Sequence, residues 1–144
     1  MNTRILIMGL PGSGKTTIAN ILKKKLEEYN NIVIWLNADE VRKKYNDWDF
    51  SQEGRIRQSQ RMRELSESEK CDFVIADFVA PLTEMRDNFE AHWTIWMDTI
   101  NQGRFEDTNQ MFINPDVYNF RITEFNAEKW ADFIANCILD KGLT

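Results

Sequence analysis

Lys15 and Thr16 close the run Gly9-Leu10-Pro11-Gly12-Ser13-Gly14-Lys15-Thr16, a complete G-x-x-x-x-G-K-[ST] pattern. These residue types dictate a chemistry. The glycines let backbone N–H groups turn inward onto phosphate oxygens, and the start of a following helix adds partial positive charge. Lys15 is placed to reach the β- and γ-phosphates of ATP, and the Thr16 hydroxyl to ligate magnesium. Pro11, Ser13 and Thr17 complete the expected nucleotide-binding set with Gly9, Gly12 and Gly14. The flanks fit as well: the apolar Ile5-Leu6-Ile7-Met8 precedes the run and helix-like residues 18–29 follow it.

Phosphoryl transfer asks little covalent help of a protein. It needs positioning, magnesium, charge neutralisation and a group to take the acceptor hydroxyl's proton. Asp39 lies just past the apolar stretch 32–36, in Asn37-Ala38-Asp39-Glu40-Val41-Arg42. It can serve as that base, or hold magnesium through water. Arg42, one helical turn on, can clamp an acceptor's phosphate with a bidentate pair. The plainer alternative is a helix N-cap aspartate with an exposed arginine. Asp77 ends the apolar run Phe73-Val74-Ile75-Ala76 and is the expected second magnesium anchor, although strand-ending aspartates are also common turn formers. Arg86 follows nine positions later and can enter the same cleft. Residues 50–61 are dense in arginine; Arg55 and Arg57 cannot share a helix face and need separate explanations.

The elements that must position these groups alternate. Strands are expected at 4–8, 32–36, 73–76, 94–97 and 119–122. Helices are expected at 14–29, 38–45, 51–70 and 127–139. Ser51 caps the third helix, with Glu53 in its first turn. Asn126 is the cap candidate of the last, with Gly142 just past its end. Trp130, Phe133, Ile134, Cys137 and Ile138 form an apolar stripe that reads as core. The Lys23-Lys24-Lys25 run reads as a solvated face. Strands alternating with helices imply an α/β fold: a five-stranded parallel sheet with helices on both faces, of the P-loop NTPase type. Ligands in such sheets bind outside the C-terminal strand ends, which selects the phosphate loop and residues 37–42, 77–86 and 98–112.

Composition narrows the setting. The 144 residues suit one domain with one core, and 42% hydrophobic residues are enough to fill it. The net charge of −5 leans against a nucleic-acid wrapper without excluding a local basic cleft. Cys71 and Cys137 lack metal-ligand spacing and read as buried thiols of a reducing compartment, and the single His92 rules out a His-rich metal site. No run of 18 apolar residues occurs, and Met1 leads straight into the first strand, so neither a membrane span nor a signal peptide is expected. A cytoplasmic location follows as the expectation.

The motifs together resemble those of adenylylsulfate (APS) kinases, which move the γ-phosphate of ATP to the 3′-hydroxyl of APS. That family's loop reads G-L-S-G-S-G-K-[ST]. Its D-G-D-x-x-R is similar to Asn37 to Arg42. Its N-x-D-L-G-F-S-x-x-D-R-x-E-N-x-R-R is similar to Asn46 through Arg61 with one deletion. Its F-I-S-P-x-x-x-x-R matches Phe78-Val79-Ala80-Pro81 through Arg86, and its V-D-T matches Met97-Asp98-Thr99. The resemblance is good over about residues 4 to 100. It implies that Phe50 stacks on the APS adenine, with Phe105 closing the other side. It further implies that Arg55 contacts the phosphosulfate, that Arg42 and Arg86 are acceptor-side cations, and that Asp39 sits near the acceptor hydroxyl and magnesium. Gln58, Phe78 and Arg104 join the implied substrate-binding set, and a homodimer is implied too.

Several positions depart from the family. Gln58 replaces an asparagine, Ala80 a serine, and Asp77 stands where serine is usual. The lid is cut short: Asp98 and Phe105 are seven positions apart, and Arg104 is the only cation between Asp98 and Phe120. A shorter lid leaves the triphosphate less neutralised and more open to water. Pro11, Asn37 and Asp77 equally fit a 5′-polynucleotide kinase, whose loop reads G-x-P-G-S-G-K-[ST] and whose second block reads N-x-D-D-x-R. A small-metabolite kinase of the same fold is the related alternative. A nucleotide-binding switch without turnover is the reading from another class.

Overall fold

The computed structural model describes residues 2–140. Five strands, β1 (Thr3–Gly9), β2 (Val33–Asn37), β3 (Phe73–Asp77), β4 (Trp93–Met97) and β5 (Phe120–Ile122), form one sheet in the order β2-β3-β1-β4-β5. All four pairings are parallel. The helices are α1 (Lys15–Glu27), α2 (Ala38–Tyr45), α3 (Gln52–Ser68), α4 (Thr83–Phe89), α5 (Glu106–Met111) and α6 (Ala127–Asp140).

Side chains alternate across a strand, so β1 feeds two cores. Ile5 and Ile7 join Ile18 and Leu22 of α1 and Ile134 and Ile138 of α6 on one face. Leu6 and Met8 join Val41 of α2, Met62 of α3, and Met85 and Phe89 of α4 on the other. β1 is central because both of its faces are apolar, as a strand covered by helices on both sides requires. The loop leaving β1 turns toward the α1 face, whereas the chain leaving β3 turns toward α4. The two part between neighbouring strands at the C-terminal sheet edge, where sheets of this kind place their ligands.

Every expected strand and helix is present, with ends shifted by a few residues. Helix α1 stops at Glu27, leaving Tyr29 exposed, and Asn30 adopts a left-handed φ of 65°. Ser51 does cap α3, its side chain accepting from the Gly54 N–H at 3.1 Å. Two helices, α4 and α5, carry no expectation from the sequence. Both are short, and neither has a side-chain cap, so the usual start signals are missing. Within α6 the buried positions are Ala131, Ile134, Ala135 and Ile138, while Phe133 is half exposed. Small alanines let α6 approach α1, which turns the stripe away from Phe133. Cys71 and Cys137 are free and only partly buried, against the expectation of core thiols. Lys25 is not simply solvated: its ammonium reaches Glu128 of α6 at 2.9 Å. Gly142 lies outside the described residues.

Candidate functional site

The phosphate loop takes a shape that only glycine permits at two points. Gly12 and Gly14 have φ of 88° and 98°, in the left-handed region that other residues rarely adopt. At Gly9 the constraint is space: a Cβ there would lie 2.6 Å from the Met97 carbonyl oxygen and 2.7 Å from Ser13 Oγ. Helix α1 then starts with no side-chain cap and no acidic residue in its first turn. Its N-terminal N–H groups are thus left for an external anion. Thr16 and Thr17 are exposed there. Ser13 Oγ is fully buried with no hydrogen-bond partner among the described residues.

Lys15 bends back over the loop. Its Nζ donates to the carbonyls of Gly9 at 3.0 Å and Leu10 at 3.1 Å. Burial pulls this ammonium down to about 8 from an ordinary 10.5; Asp77 and then Asp39 pull the other way, and Arg104 adds to the lowering. The lysine therefore feels both carboxylates singled out by the sequence, as well as the lid arginine.

Asp77 is buried at the end of β3, beside its register partner Asn37 at the end of β2. Its Oδ2 accepts from Trp35 Nε1 at 2.9 Å and from Asn37 Nδ2 at 3.0 Å. Burial pushes its carboxyl upward, partly offset by the Asn37 and Trp35 bonds and by Lys15; the Asp39 charge adds to the rise. Asn37, rather than Asp39, caps α2: its Oδ1 accepts from the Glu40 N–H at 3.1 Å. Asp39 is thereby free of capping duty and lies exposed in the first turn. Thr16, Asp39 and Asp77 present only oxygen donors, which suits magnesium, an ion that takes one or two carboxylates plus phosphate oxygens. Among the described residues no group of three or more His, Cys, Asp or Glu could hold a metal by itself.

On the acceptor side, three arginines expected to meet substrate are engaged by the protein. Arg42 is buried and donates from Nη1 to the carbonyls of Asp47 at 3.0 Å and Asp49 at 3.2 Å. Arg55 is buried too; its Nε donates to the Phe50 carbonyl at 2.9 Å and its Nη2 to Thr108 Oγ1 at 2.7 Å. Both guanidiniums lie near the half-exposed Phe50 ring, at 4.3 Å and 5.4 Å from its centroid. Arg86 donates from Nε to the Ala80 carbonyl at 2.8 Å and from Nη2 to the carbonyls of Pro81 and Ile113. Burial lowers all three, Arg86 to about 10, so each stays charged at neutral pH. Buried carbonyls at bends need donors, and the fork of a guanidinium supplies several at once. Ala80 makes this need acute, since it is a buried non-glycine residue at φ 47°.

Other sequence-chosen residues divide the same way. Gln58 is buried and donates to the Ala38 carbonyl at 3.2 Å, tying α3 to the turn that carries Asp39. Phe78 sits in the core, edge-on to Phe89 at 5.7 Å, rather than on a substrate wall. Arg57 faces the opposite way from Arg55, binding Asp47 and Asp49, and Arg61 also reaches Asp47. These arginines hold the chain between α2 and α3. That chain packs so tightly on α3 that a Cβ on Gly54 would lie 2.2 Å from the Asp49 carbonyl oxygen.

The short lid lies directly on the phosphate loop. A Cβ on Gly103 would come within 3.1 Å of the Pro11 carbonyl, and Thr99 Oγ1 donates to the Ser13 carbonyl at 2.8 Å. Asn109 fixes the turn, accepting from the Gly103 N–H at 2.7 Å. Phe105 immediately precedes α5 and is half exposed, with the Arg104 guanidinium 5.6 Å from its ring. Phe50 and Phe105 do not stack on each other among the ring pairs described, but Arg55 links their segments through Thr108.

A cavity of about 560 Å³ opens beside the loop, bounded by Gly12, Lys15, Thr16, Thr17 and Arg104. Its far wall is the turn between β5 and α6, with Glu124, Phe125 and Asn126. The exposed Phe125 ring lies 3.6 Å from where a Gly14 Cβ would stand. These wall residues are absent from the sequence-based set. No motif marks them, and only the sheet order brings β5 to the loop's flank.

The family described as adenylylsulphate kinase matches residues 1–101. The chain belongs to that family. An adenylyl-sulfate kinase from Bacillus velezensis is 31% identical over 114 residues, covering 77% of this chain and 53% of that protein. One from Clostridium acetobutylicum is 35% identical over 83 residues, covering 56% and 42%. The chain thus spans about half the length of the curated relatives it matches. Among solved structures, the Mycobacterium tuberculosis APS kinase in complex with AMPPNP and APS superposes with a TM-score of 0.80 at 18% identity, covering 96% of this chain and 98% of that one. Acinetobacter baumannii shikimate kinase in complex with shikimate gives 0.66 at 19% identity, covering 100% and 97%. At such identities these likenesses establish the fold, that of P-loop kinases. Among the described residues no helix is long and apolar enough to cross a membrane.

Proposed function

We propose that this family member is a cytoplasmic ATP-dependent kinase, a single domain that transfers the γ-phosphate to the 3′-hydroxyl of adenylyl sulfate. The observation that carries the reading is Lys15, folded over the glycine loop with its Nζ on the Gly9 and Leu10 carbonyls beside the uncapped start of α1. The loop N–H groups and the α1 N-terminus bind the triphosphate. Lys15 exchanges its two carbonyl partners for phosphate oxygens, and Arg104 adds the lid's positive charge. Thr16, Asp77 and Asp39 would hold magnesium together with the phosphates, and the ion would supply charge neutralisation at the transferring group. Asp39, exposed at the first turn of α2, accepts the proton of the attacking hydroxyl. Phe50 and Phe105 supply flat apolar faces for the acceptor's base.

Two features favour a polynucleotide 5′-end as a second reading: the Asn37–Asp77 pair and Pro11 beneath the lid. The experiment that separates them offers radiolabelled ATP and magnesium with APS, with a 5′-hydroxyl oligonucleotide, or with no acceptor. Label on APS alone is expected. Label on the oligonucleotide alone overturns the APS assignment, and magnesium-dependent ATP binding without transfer supports a non-catalytic switch. The homodimer that the family resemblance implies is read by light scattering on the purified chain.

A further inference from the structure

The pair of side chains on Asp77 has a role that the phosphate-loop motif does not assign. Asn37 and Asp77 are register partners on adjacent parallel strands, and Trp35 lies two residues earlier on the same strand and the same face as Asn37. Both donate to one oxygen, Oδ2, at 2.9 Å and 3.0 Å. Asp77 is 3% exposed, so with water excluded the two donors anchor this oxygen. Asn37 has a second engagement: its Oδ1 caps α2 at Glu40, one residue beyond Asp39. One amide therefore ties the buried carboxylate of β3 to the helix turn that carries the exposed one.

We propose that Trp35 and Asn37 are positioning residues of the phosphate site: they occupy Asp77 Oδ2 so that the other oxygen is held toward Lys15 and an incoming magnesium. Neither side chain touches the nucleotide in this arrangement. They act through Asp77, and Asn37 also acts through the start of α2. The proposal rests on the nucleotide-binding half of the proposed function and is independent of which acceptor is used.

Two substitutions separate positioning from packing. Trp35→Phe keeps the ring against the core and removes the N–H. Asn37→Ser keeps a side chain suited to capping α2 but cannot reach Asp77 with a donor. The measurement is calorimetric binding of a non-hydrolysable ATP analogue to the full chain, with magnesium titrated and with magnesium chelated. Each variant is expected to raise the magnesium needed for half-maximal binding by about three- to tenfold, the range of one ordinary net hydrogen bond. Magnesium-free affinity is expected to stay within about twofold of the parent, a margin of only a few tenths of a kcal/mol. In an Asp77→Asn background, adding Trp35→Phe is expected to change the magnesium requirement no further, because the group it positions is gone. An unchanged requirement in both single variants overturns the proposal. So does an equal fall in magnesium-free affinity, which is what a structural defect alone produces, and so does a fully additive double variant. Failure to phosphorylate APS with these binding results intact would sink only the acceptor assignment. Failure of the parent chain to bind the analogue would sink the donor reading and this inference together.

Discussion

The donor and acceptor halves of the cleft use their polar groups in opposite ways. Around the phosphate loop, groups are left open: α1 starts without a cap, Thr16 and Thr17 are exposed, and Ser13 Oγ has no partner among the described residues. Around residues 47–55 and 80–86, the arginines are engaged by backbone carbonyls and a threonine hydroxyl. The donor half thus leaves its donors open, as an incoming anion requires. The acceptor half uses its arginines to hold irregular loops, so they, like Lys15 on its two carbonyls, meet a ligand only by exchanging partners. A cation in a phosphate cleft is therefore not automatically a phosphate ligand; its hydrogen bonds decide.

The comparison breaks first at Lys15. Lys15→Ala removes the loop's own cation, and transfer to every acceptor is expected to fall by about a hundred- to a thousandfold, read as label from ATP. Arg86→Ala is the acceptor-side counterpart. It strips donors from three carbonyls, so urea unfolding is expected to show a loss of about 1–3 kcal/mol while ATP-analogue affinity is unchanged. An unchanged unfolding midpoint with a raised acceptor requirement would instead make Arg86 a ligand.

The third test uses pH. Lys15 in the free protein titrates at about 8, below its ordinary 10.5, and a bound triphosphate favours the charged form. Analogue affinity is expected to be flat below pH 8 and to fall by up to about tenfold per pH unit above it. The stability of the free protein should move the other way. The unfolded chain holds the lysine proton up to 10.5, so the Lys15 contribution to stability rises with pH between about 8 and 10.5. Affinity that holds steady through pH 9 would refute the lowered titration of Lys15 in the free protein. The smallest effect is expected from Phe50→Ala. Losing one stacking face should raise the APS requirement by about two- to tenfold, in line with aromatic pair energies, with ATP binding nearly intact. An unaltered APS response would refute the stacking role.

Much of this was legible before any fold was known. The phosphate loop is a contiguous pattern whose backbone geometry its own glycines impose. Asp39 and Asp77 were readable because apolar runs end just before them. The arginines were readable as residues but not as interactions. Arg86 reaches Ile113, and Arg55 reaches Thr108, across stretches of chain that no local pattern connects. Phe78 looked like a substrate wall because of its motif, yet it fills the core against Phe89, which belongs to a helix without cap signals. Phe125 was invisible for the converse reason: it carries no motif and gains its place only when β5 joins β4.

The sequence by itself determined the glycine loop and the parallel sheet that carries it, since periodicity and glycine spacing are local properties. Only the tertiary structure decided which polar groups remain available to a ligand. Each buried carbonyl must find a donor, and which donor it finds depends on which distant segments pack together. That is why Asn37 rather than Asp39 caps α2, why Trp35 and Asn37 donate to Asp77, and why Arg42, Arg55 and Arg86 first serve the fold.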